Sequence, residues 1–137
     1  MEKLIKQLKQ HEGVRLTPYT CPAGFQTIGV GRNLEQRGIT EREADYLLSN
    51  DISYFTDQVR SNIDTSRCNP AREAVLINMA FNLGTSGLLN FKKTIAAVEK
   101  ADWETAALEM LDSRWAVQVG KRADELAEQM QSGEWFE

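Results

Sequence analysis

The sequence predicts an α+β domain in which a small N-terminal β unit is followed by a long connecting helix and a helical bundle. Three observations support this prediction. β-Forming residues alternate with polar residues and glycines at positions 15–31, a pattern typical of short strands. From Thr40 a helical stripe of apolar residues continues for about twenty residues. The remainder of the chain is a series of helical stretches, which fits a bundle.

The N-terminal segment is predicted to contain one helix and a small sheet. The apolar residues of the first helix, at 2–11, lie on one face, and Gly13 ends it. The segment 15–20 is extended, 21–24 contains the Pro and Gly of a turn, and 25–31 has the composition of a strand. Together these segments predict a small hairpin or sheet.

Capping patterns mark where the later helices begin. Thr40 and Glu43 fit a capping box, which starts the connecting helix at about 40–61. Asn69 is the expected N-cap of the next helix, whose body at 71–83 is apolar on nearly all sides. A helix of that kind is a buried central helix. Gly84 is the expected C-cap of this central helix. Further helices are predicted at 91–100, at 102–111 with Asp102 as its N-cap, and at 121–131, and a short element begins at Ser113.

Composition argues against several classes of protein. The 137 residues fit one domain, and 42% hydrophobic with 26% charged residues is close to the globular average. The net charge of −4 opposes strong nucleic-acid binding. No apolar stretch has the ~18 residues of a membrane span or the form of a signal peptide, so we expect a cytoplasmic protein. One histidine and two cysteines provide no metal-ligand cluster, and neither a metal nor an organic cofactor is expected.

Three residues near the N-terminus carry chemistry that a hydrolase needs. Glu12 lies at a helix end, Cys21 at a turn and Thr27 in a strand, so a compact sheet could bring them together. A carboxylic acid can protonate a leaving group, a thiol can act as a nucleophile, and a hydroxyl can hold a water. Each residue also has an ordinary structural explanation, as a solvated acid, a small buried thiol and a β-forming residue. Residue types alone leave that choice open.

The same segment resembles the active-site signature of the phage-type lysozymes (endolysins, muramidases). That signature is Glu, eight residues, Asp or Cys, five residues, then Thr, and Glu12, Cys21 and Thr27 match it without a gap. Residues 78–84 resemble the family's central helix. Further matches are Trp103, Ser113-Arg114-Trp115 and Ser132-Gly133-Glu134-Trp135. The resemblance therefore covers nearly the whole chain.

The resemblance implies a fold of two lobes joined by a long helix, with a cleft between the lobes. Residues 12–39 would form the β lobe, 40–61 the connecting helix, and 62–137 together with helix 2–11 the helical lobe, all within one domain at 1–137. It also implies hydrolysis of the β-1,4 bond between N-acetylmuramic acid and N-acetylglucosamine in peptidoglycan, for lysis of a bacterial host.

The roles of single residues follow from the same resemblance. Glu12 would be the general acid, and Arg122 would pair with it. Cys21 replaces the Asp of the best-known members, and our hypothesis is that it acts as a thiolate while Thr27 places the hydrolytic water. The implied substrate-binding residues are Gly31, Asn33, Phe81, Asn82 and Thr94. Because peptidoglycan is anionic, local positive charge is expected beside the cleft from Arg32, Lys92, Lys93, Arg114, Lys121 and Arg122.

The N-terminal lobe departs from the family pattern in two further places. Arg32 stands where longer members have a histidine in an ion pair, so we expect Asp51 or Asp57 as its partner. The segment 34–40 is short, which predicts a reduced lobe because longer members carry an extra loop and helix there.

Several other reactive or aromatic residues are given structural interpretations. His11 is expected at the surface, because its side chain points away from that of its neighbour in the helix. A disulfide between Cys21 and Cys68 is not favoured, since relatives regulated in that way carry an N-terminal membrane anchor. The tryptophans are expected in the core rather than against sugar rings: Trp103, Trp115 and Trp135.

The expected partner is the peptidoglycan glycan strand, and the expected state is a monomer. Without an export signal, the protein would be made in the host cytoplasm and reach the periplasmic wall through a pore formed by a holin. Two alternatives stay open. A lytic transglycosylase cleaves the same bond without needing Cys21, and a non-catalytic wall-binding module could keep the same fold. The family spacing of the three candidate residues argues against the second alternative.

Overall fold

The computed structural model describes residues 1–137 and contains seven α-helices and one three-stranded antiparallel sheet, which confirms the α+β class. The chain divides into an N-terminal unit, Met1–Leu47, and a C-terminal unit, Leu48–Glu137. The arrangement of residues 1–137 as one two-lobed domain stays a prediction. The elements are α1 (Glu2–Glu12), β1 (Arg15–Thr20), β2 (Gln26–Gly29), β3 (Arg32–Asn33), α2 (Glu41–Asn62), α3 (Pro70–Leu89), α4 (Lys92–Glu99), α5 (Trp103–Leu111), α6 (Arg114–Val119) and α7 (Lys121–Ser132).

The sheet of the N-terminal unit is a meander with the order β1-β2-β3. β1 runs antiparallel to β2, with Tyr19 opposite Thr27. The strand pattern at 25–31 is interrupted at Gly31, whose φ of 65° is in the left-handed region that favours glycine. The chain reverses there, and β3 pairs back onto β2 with Arg32 opposite Ile28.

A carboxylate at the start of α2 connects the helix to the sheet. The predicted capping box is confirmed: Glu43 N–H donates to Thr40 Oγ1 at 3.1 Å, and Thr40 N–H donates to Glu43 Oε1 at 2.9 Å. Arg32 donates to both carboxylate oxygens of Glu43, at 2.9 and 2.7 Å, and to the Gly38 carbonyl at 3.0 Å. The expectation that Asp51 or Asp57 pairs with Arg32 is therefore wrong. The short connection after β3 brings the first turn of α2 to the guanidinium instead.

The pairing changes the acid–base behaviour of this carboxylate. The Arg32 guanidinium, and after it the Thr40 amide, hold the pKa of the Glu43 carboxyl at about 2, well below its usual 4.5. Both interactions favour the ionised form, since each donates a hydrogen bond to a carboxylate oxygen.

Helix α3 is the buried centre of the C-terminal unit, as its all-round apolar pattern predicted. Val75, Leu76 and Met79 are completely buried, and side chains from α4, α5 and α7 complete the core around them. The predicted N-cap is confirmed, because Asn69 Oδ1 accepts a hydrogen bond from Arg72 N–H at 2.9 Å.

The path of α3 changes at the glycine where the sequence predicts its end. Gly84 has φ 78° and ψ 161°, so the helical run breaks there, but helical structure resumes and continues to Leu89. No single helix is both long and apolar enough to cross a membrane; α3 and α4, bent by 102° at their junction, meet the length and composition criteria only as a pair.

The side chain of Arg72 fastens α3 to the end of α7. Its Nε donates to the Met130 carbonyl at 2.7 Å, and its Nη2 donates to the Gln131 carbonyl at 2.8 Å. The guanidinium also lies 4.2 Å from the centre of the Trp103 ring. The arginine thus satisfies carbonyls of the last helical turn and covers a ring at the edge of the core.

The three tryptophans differ in burial. Trp115 is in the core and Trp103 packs against it, as predicted. Trp135 is 58% exposed, so its expected core position is wrong. The reason is that α7 ends before it: Gly133 takes a left-handed conformation, and the chain then runs along the surface. His11 is exposed, as predicted.

Candidate active site

The three candidate catalytic residues all belong to the N-terminal unit and lie on the elements that the sequence predicts. Glu12 is the last residue of α1 and is exposed. Cys21 follows β1 directly and is half-buried, whereas Thr27 lies in β2 and is only 3% exposed. Cys21 therefore lies in the turn that connects β1 to β2, close to the buried threonine.

One backbone carbonyl organises the cysteine and the threonine. The carbonyl of Phe25 accepts a hydrogen bond from the Cys21 amide at 2.9 Å and another from Thr27 Oγ1, also at 2.9 Å. The turn is closed by the Gly24 amide, which donates to the Cys21 carbonyl at 2.8 Å. The backbone of Cys21 and the side chain of Thr27 are thus fixed to the same peptide group.

The same turn surrounds the thiol with hydrogen-bond donors. The Phe25 amide does most to lower the pKa of Cys21 below its ordinary 9.0, and the Thr27 hydroxyl and the Ala23 and Gly24 amides act in the same direction. Partial burial opposes them by disfavouring the charged form. Because donors favour an anion, the turn stabilises a thiolate.

The other cysteine has the opposite environment. Cys68 is a free thiol in the C-terminal unit, packed against the hydrophobic core. Burial, and then the negative charge of Glu73, raise its pKa to about 11. Cys21 is also a free thiol. The chain therefore contains one thiol in a surrounding that favours ionisation and one in a surrounding that opposes it.

Of the glycine and asparagine predicted to bind substrate, Gly31 lies in the short β2–β3 turn and Asn33 in β3. The backbone of Gly31 lies directly against the Glu12 carboxylate: a Cβ on Gly31 would be 2.8 Å from Glu12 Oε2. The Asn33 side chain is engaged locally, since its Oδ1 accepts from the Gln36 amide at 2.9 Å and its Nδ2 donates to Gln36 Oε1 at 3.3 Å. The N-terminal unit thus brings Gly31 to the candidate acid, while Asn33 stabilises the following turn.

The other predicted site residues belong to the C-terminal unit. Phe81 is 43% exposed on α3, and its ring centre is 5.7 Å from that of Phe55. Asn82 Oδ1 accepts a hydrogen bond from the indole of Trp115 at 2.7 Å. Thr94 is buried at the start of α4. Substrate contacts of these residues stay predictions.

Arg122 is held by an amide side chain within the C-terminal unit. Its Nη2 and Nε donate to Asn78 Oδ1 at 2.8 and 3.2 Å. Its pairing with Glu12 stays a prediction. Asn78 was not among the predicted site residues, although it lies within the segment 78–84 that carries the family resemblance.

Two of the cavities on the surface of the C-terminal unit are lined by predicted site or charge residues. One, of about 580 Å³, has a largely apolar wall that includes Ile52, Ile77, Phe81 and Trp135. The other, of about 610 Å³, has basic residues in its lining. Those basic residues are Lys92, Lys93 and Arg114. The same lining contains Glu109 and Asp112, so these carboxylates offset most of the positive charge at this cavity.

Comparison with known proteins identifies a matching family and several similar chains. The family model described as "Phage lysozyme" matches residues 9–132. Probable T4-type lysozyme 1 of Dictyostelium discoideum is 28% identical, with 92% of each chain covered. An endolysin of Acyrthosiphon pisum secondary endosymbiont phage 1 is also 28% identical, over 88% of this chain and 84% of that protein. The pre-baseplate central spike protein Gp5 of Enterobacteria phage T4 is 26% identical over 88% of this chain, which corresponds to 26% of Gp5.

Proposed function

Because the chain belongs to the phage lysozyme family and is a lysozyme-like cell-wall hydrolase of the glycoside hydrolase type, we propose that it hydrolyses the β-1,4 bond between N-acetylmuramic acid and N-acetylglucosamine in bacterial peptidoglycan. The observation that carries the proposal is the shared anchoring of Cys21 and Thr27 on the Phe25 carbonyl. The proposal is further supported by the match of Glu12, Cys21 and Thr27 to the family spacing and by the hydrogen-bond donors that lower the pKa of the Cys21 thiol.

In the first step, Glu12 is the general acid. Its carboxylic acid proton goes to the glycosidic oxygen as the bond to the anomeric carbon breaks. The Cys21 thiolate attacks that carbon, so that a carbon–sulfur bond replaces the carbon–oxygen bond and the leaving sugar departs as an alcohol. In the second step the Glu12 carboxylate takes a proton from a water molecule. The water oxygen displaces the sulfur and regenerates the thiolate.

Thr27 has a role in both steps because its hydroxyl proton can be donated either to the Phe25 carbonyl or to the Cys21 sulfur. With Cys21 neutral, the hydroxyl donates to the Phe25 carbonyl at 2.9 Å. With Cys21 ionised, the same proton can be donated to the sulfur, which lowers the pKa of the thiol. When the hydroxyl donates its proton to the Phe25 carbonyl, its oxygen can still accept a hydrogen bond from the hydrolytic water.

The proposal is tested by the clearance of outer-membrane-permeabilised cells and by analysis of the products. We expect the wild type to clear the suspension, and Glu12→Gln to be at least about 10²-fold slower because the proton donor is missing. If the wild type clears no faster than Glu12→Gln, the chain is a non-catalytic module. Anhydro-sugar ends on the released muropeptides, detected by mass spectrometry, would identify a transglycosylase instead.

The stereochemistry of the product tests the role of Cys21. Retention of the β-anomer in the first-formed product, measured by NMR, is expected for a covalent intermediate on sulfur, because two displacements restore the configuration. An α-anomer would instead mean direct attack by water. Full activity of Cys21→Ala would contradict any chemical role for the thiol.

We also propose a biological setting, which the relative named endolysin supports. The protein would fold as a monomer in the cytoplasm of a phage host and act on the peptidoglycan of the periplasm once a holin opens the membrane. Expression with and without a holin tests this setting, since lysis should begin only when the holin is present. Light scattering after size-exclusion chromatography tests the monomer.

A further inference from the structure

The turn between β2 and β3 leaves space for the Glu12 carboxylate only because it contains a glycine. A Cβ on Gly31 would be 2.8 Å from Oε2, 3.0 Å from Cδ and 3.2 Å from Cγ of Glu12. A Cβ is essentially never found within 3.0 Å of a non-bonded heavy atom, so the carboxylate and such a methyl group exclude each other. The Glu12 carboxylate therefore occupies space that any side chain at position 31 would need.

The left-handed backbone alone does not distinguish Gly31 from its neighbour. Gly29 has φ 70° and Gly31 has φ 65°, so both positions favour glycine on conformational grounds. A Cβ on Gly29, however, would meet no atom within 4 Å. The contact with Glu12 is thus a property of Gly31 alone among the glycines of the N-terminal unit, since Gly13, Gly24 and Gly38 also stay clear of this carboxylate.

Little else within the N-terminal unit restrains this side chain. Glu12 is the exposed last residue of α1, and none of the hydrogen bonds and ion pairs within this unit involves its carboxylate. The carboxylate is the flexible end of a long side chain, so a methyl group on Gly31 would displace it rather than unfold the sheet. A side chain at position 31 would therefore shift the carboxylate from its present place.

We propose that Gly31 is a positioning residue for Glu12, because its missing Cβ leaves the space that the carboxylate occupies. This inference deepens the proposed function and rests on it, because Glu12 is the proton donor there. It also differs from the substrate-binding role that the sequence resemblance implies for Gly31. A positioning role lowers kcat with KM unchanged, whereas a lost substrate contact raises KM.

The test compares Gly31→Ala with Gly29→Ala. Both variants place alanine in a left-handed conformation, so both should lose similar thermal stability. Only Gly31→Ala pushes the carboxylate away, and we expect its kcat on peptidoglycan to fall at least about tenfold below that of Gly29→Ala, since misplacement by 1 Å can cost about 10²-fold. Equal kcat values for the two variants would overturn the inference.

A second measurement does not depend on activity. In protein with ¹³C-labelled glutamate, the side-chain carboxyl resonance of Glu12 should move in Gly31→Ala and stay in place in Gly29→Ala. An unmoved resonance in Gly31→Ala contradicts the positioning role even if the proposed hydrolase activity fails. Should Gly31→Ala not fold, Gly31→Asn and Gly29→Asn replace the pair, because Asn tolerates the left-handed conformation and retains the Cβ.

Discussion

Replacing Thr27 with valine should separate the contribution of its hydroxyl to stability from its contribution to the thiolate. Valine keeps the shape and β-propensity of a side chain that is 3% exposed. The Phe25 carbonyl loses the hydroxyl at 2.9 Å but keeps the Cys21 amide at 2.9 Å, so no buried acceptor is left unpaired. We therefore expect a loss of only about 1 kcal/mol in the free energy of unfolding, the net value of one hydrogen bond.

The thiol should respond more clearly than the fold. Loss of the Thr27 hydroxyl removes one of the donors that lower the pKa of Cys21, so this pKa should rise toward 9.0. It should not reach the ordinary value, because the Phe25 amide, the largest cause of the shift, is retained. Activity that depends on the thiolate should then require a higher pH in Thr27→Val than in the wild type.

Absorbance of the thiolate near 240 nm measures this titration directly. Cys68 does not interfere below pH 9, because burial raises its pKa to about 11. Cys21→Ala supplies the baseline, and urea unfolding gives the stability change. If the thiol titration of Thr27→Val matched that of the wild type while unfolding changed by about 1 kcal/mol, the hydroxyl would have a purely structural role and the thiolate argument would be refuted.

Three further predictions concern stability. The pKa of Glu43 is about 2 in the folded state against an ordinary 4.5, so the stabilisation from its pairing with Arg32 is complete above pH 4.5 and is lost as the pH falls toward 2. In urea unfolding, the stability of Arg32→Met should therefore fall less steeply with decreasing pH than that of the wild type. Equal slopes for the two proteins would contradict this prediction. Leu76→Ala, at a completely buried site, should lower the free energy of unfolding by about 2–5 kcal/mol, and a loss under about 1 kcal/mol would mean that the core collapses around the cavity. Arg72→Met should lower the melting temperature by several degrees, whereas Arg67→Met, which removes a single hydrogen bond of 3.4 Å, should barely change it.

The features that sequence analysis predicted correctly are mostly local ones. The caps at Thr40, Asn69 and Asp102 connect residues three positions apart, so their sequence patterns nearly determine their geometry. The candidate catalytic residues also lie at the predicted helix end, turn and strand, because these elements are short and close in sequence, whereas the catalytic roles of the three residues stay predictions.

The features that sequence analysis missed depend on the path of the chain between elements. The partner of Arg32 was misassigned because the choice among several acids depends on how tightly the chain turns after β3. The exposure of Trp135 depends on where the last helix stops. The organising role of the Phe25 carbonyl has no sequence signal at all, since every residue carries the same backbone group.

The Glu43 carboxylate binds both the Thr40 amide and Arg32, and this shared binding affects local unfolding of the N-terminal unit. Its Oε1 accepts from both Thr40 N–H and Arg32, while its Oε2 accepts from Arg32 alone. The first turn of α2 therefore cannot fray without releasing the arginine that lies opposite Ile28 in the sheet. In native-state hydrogen exchange, the capping amides and the β2–β3 ladder amides should consequently exchange with the same opening free energy, as one cooperative unit.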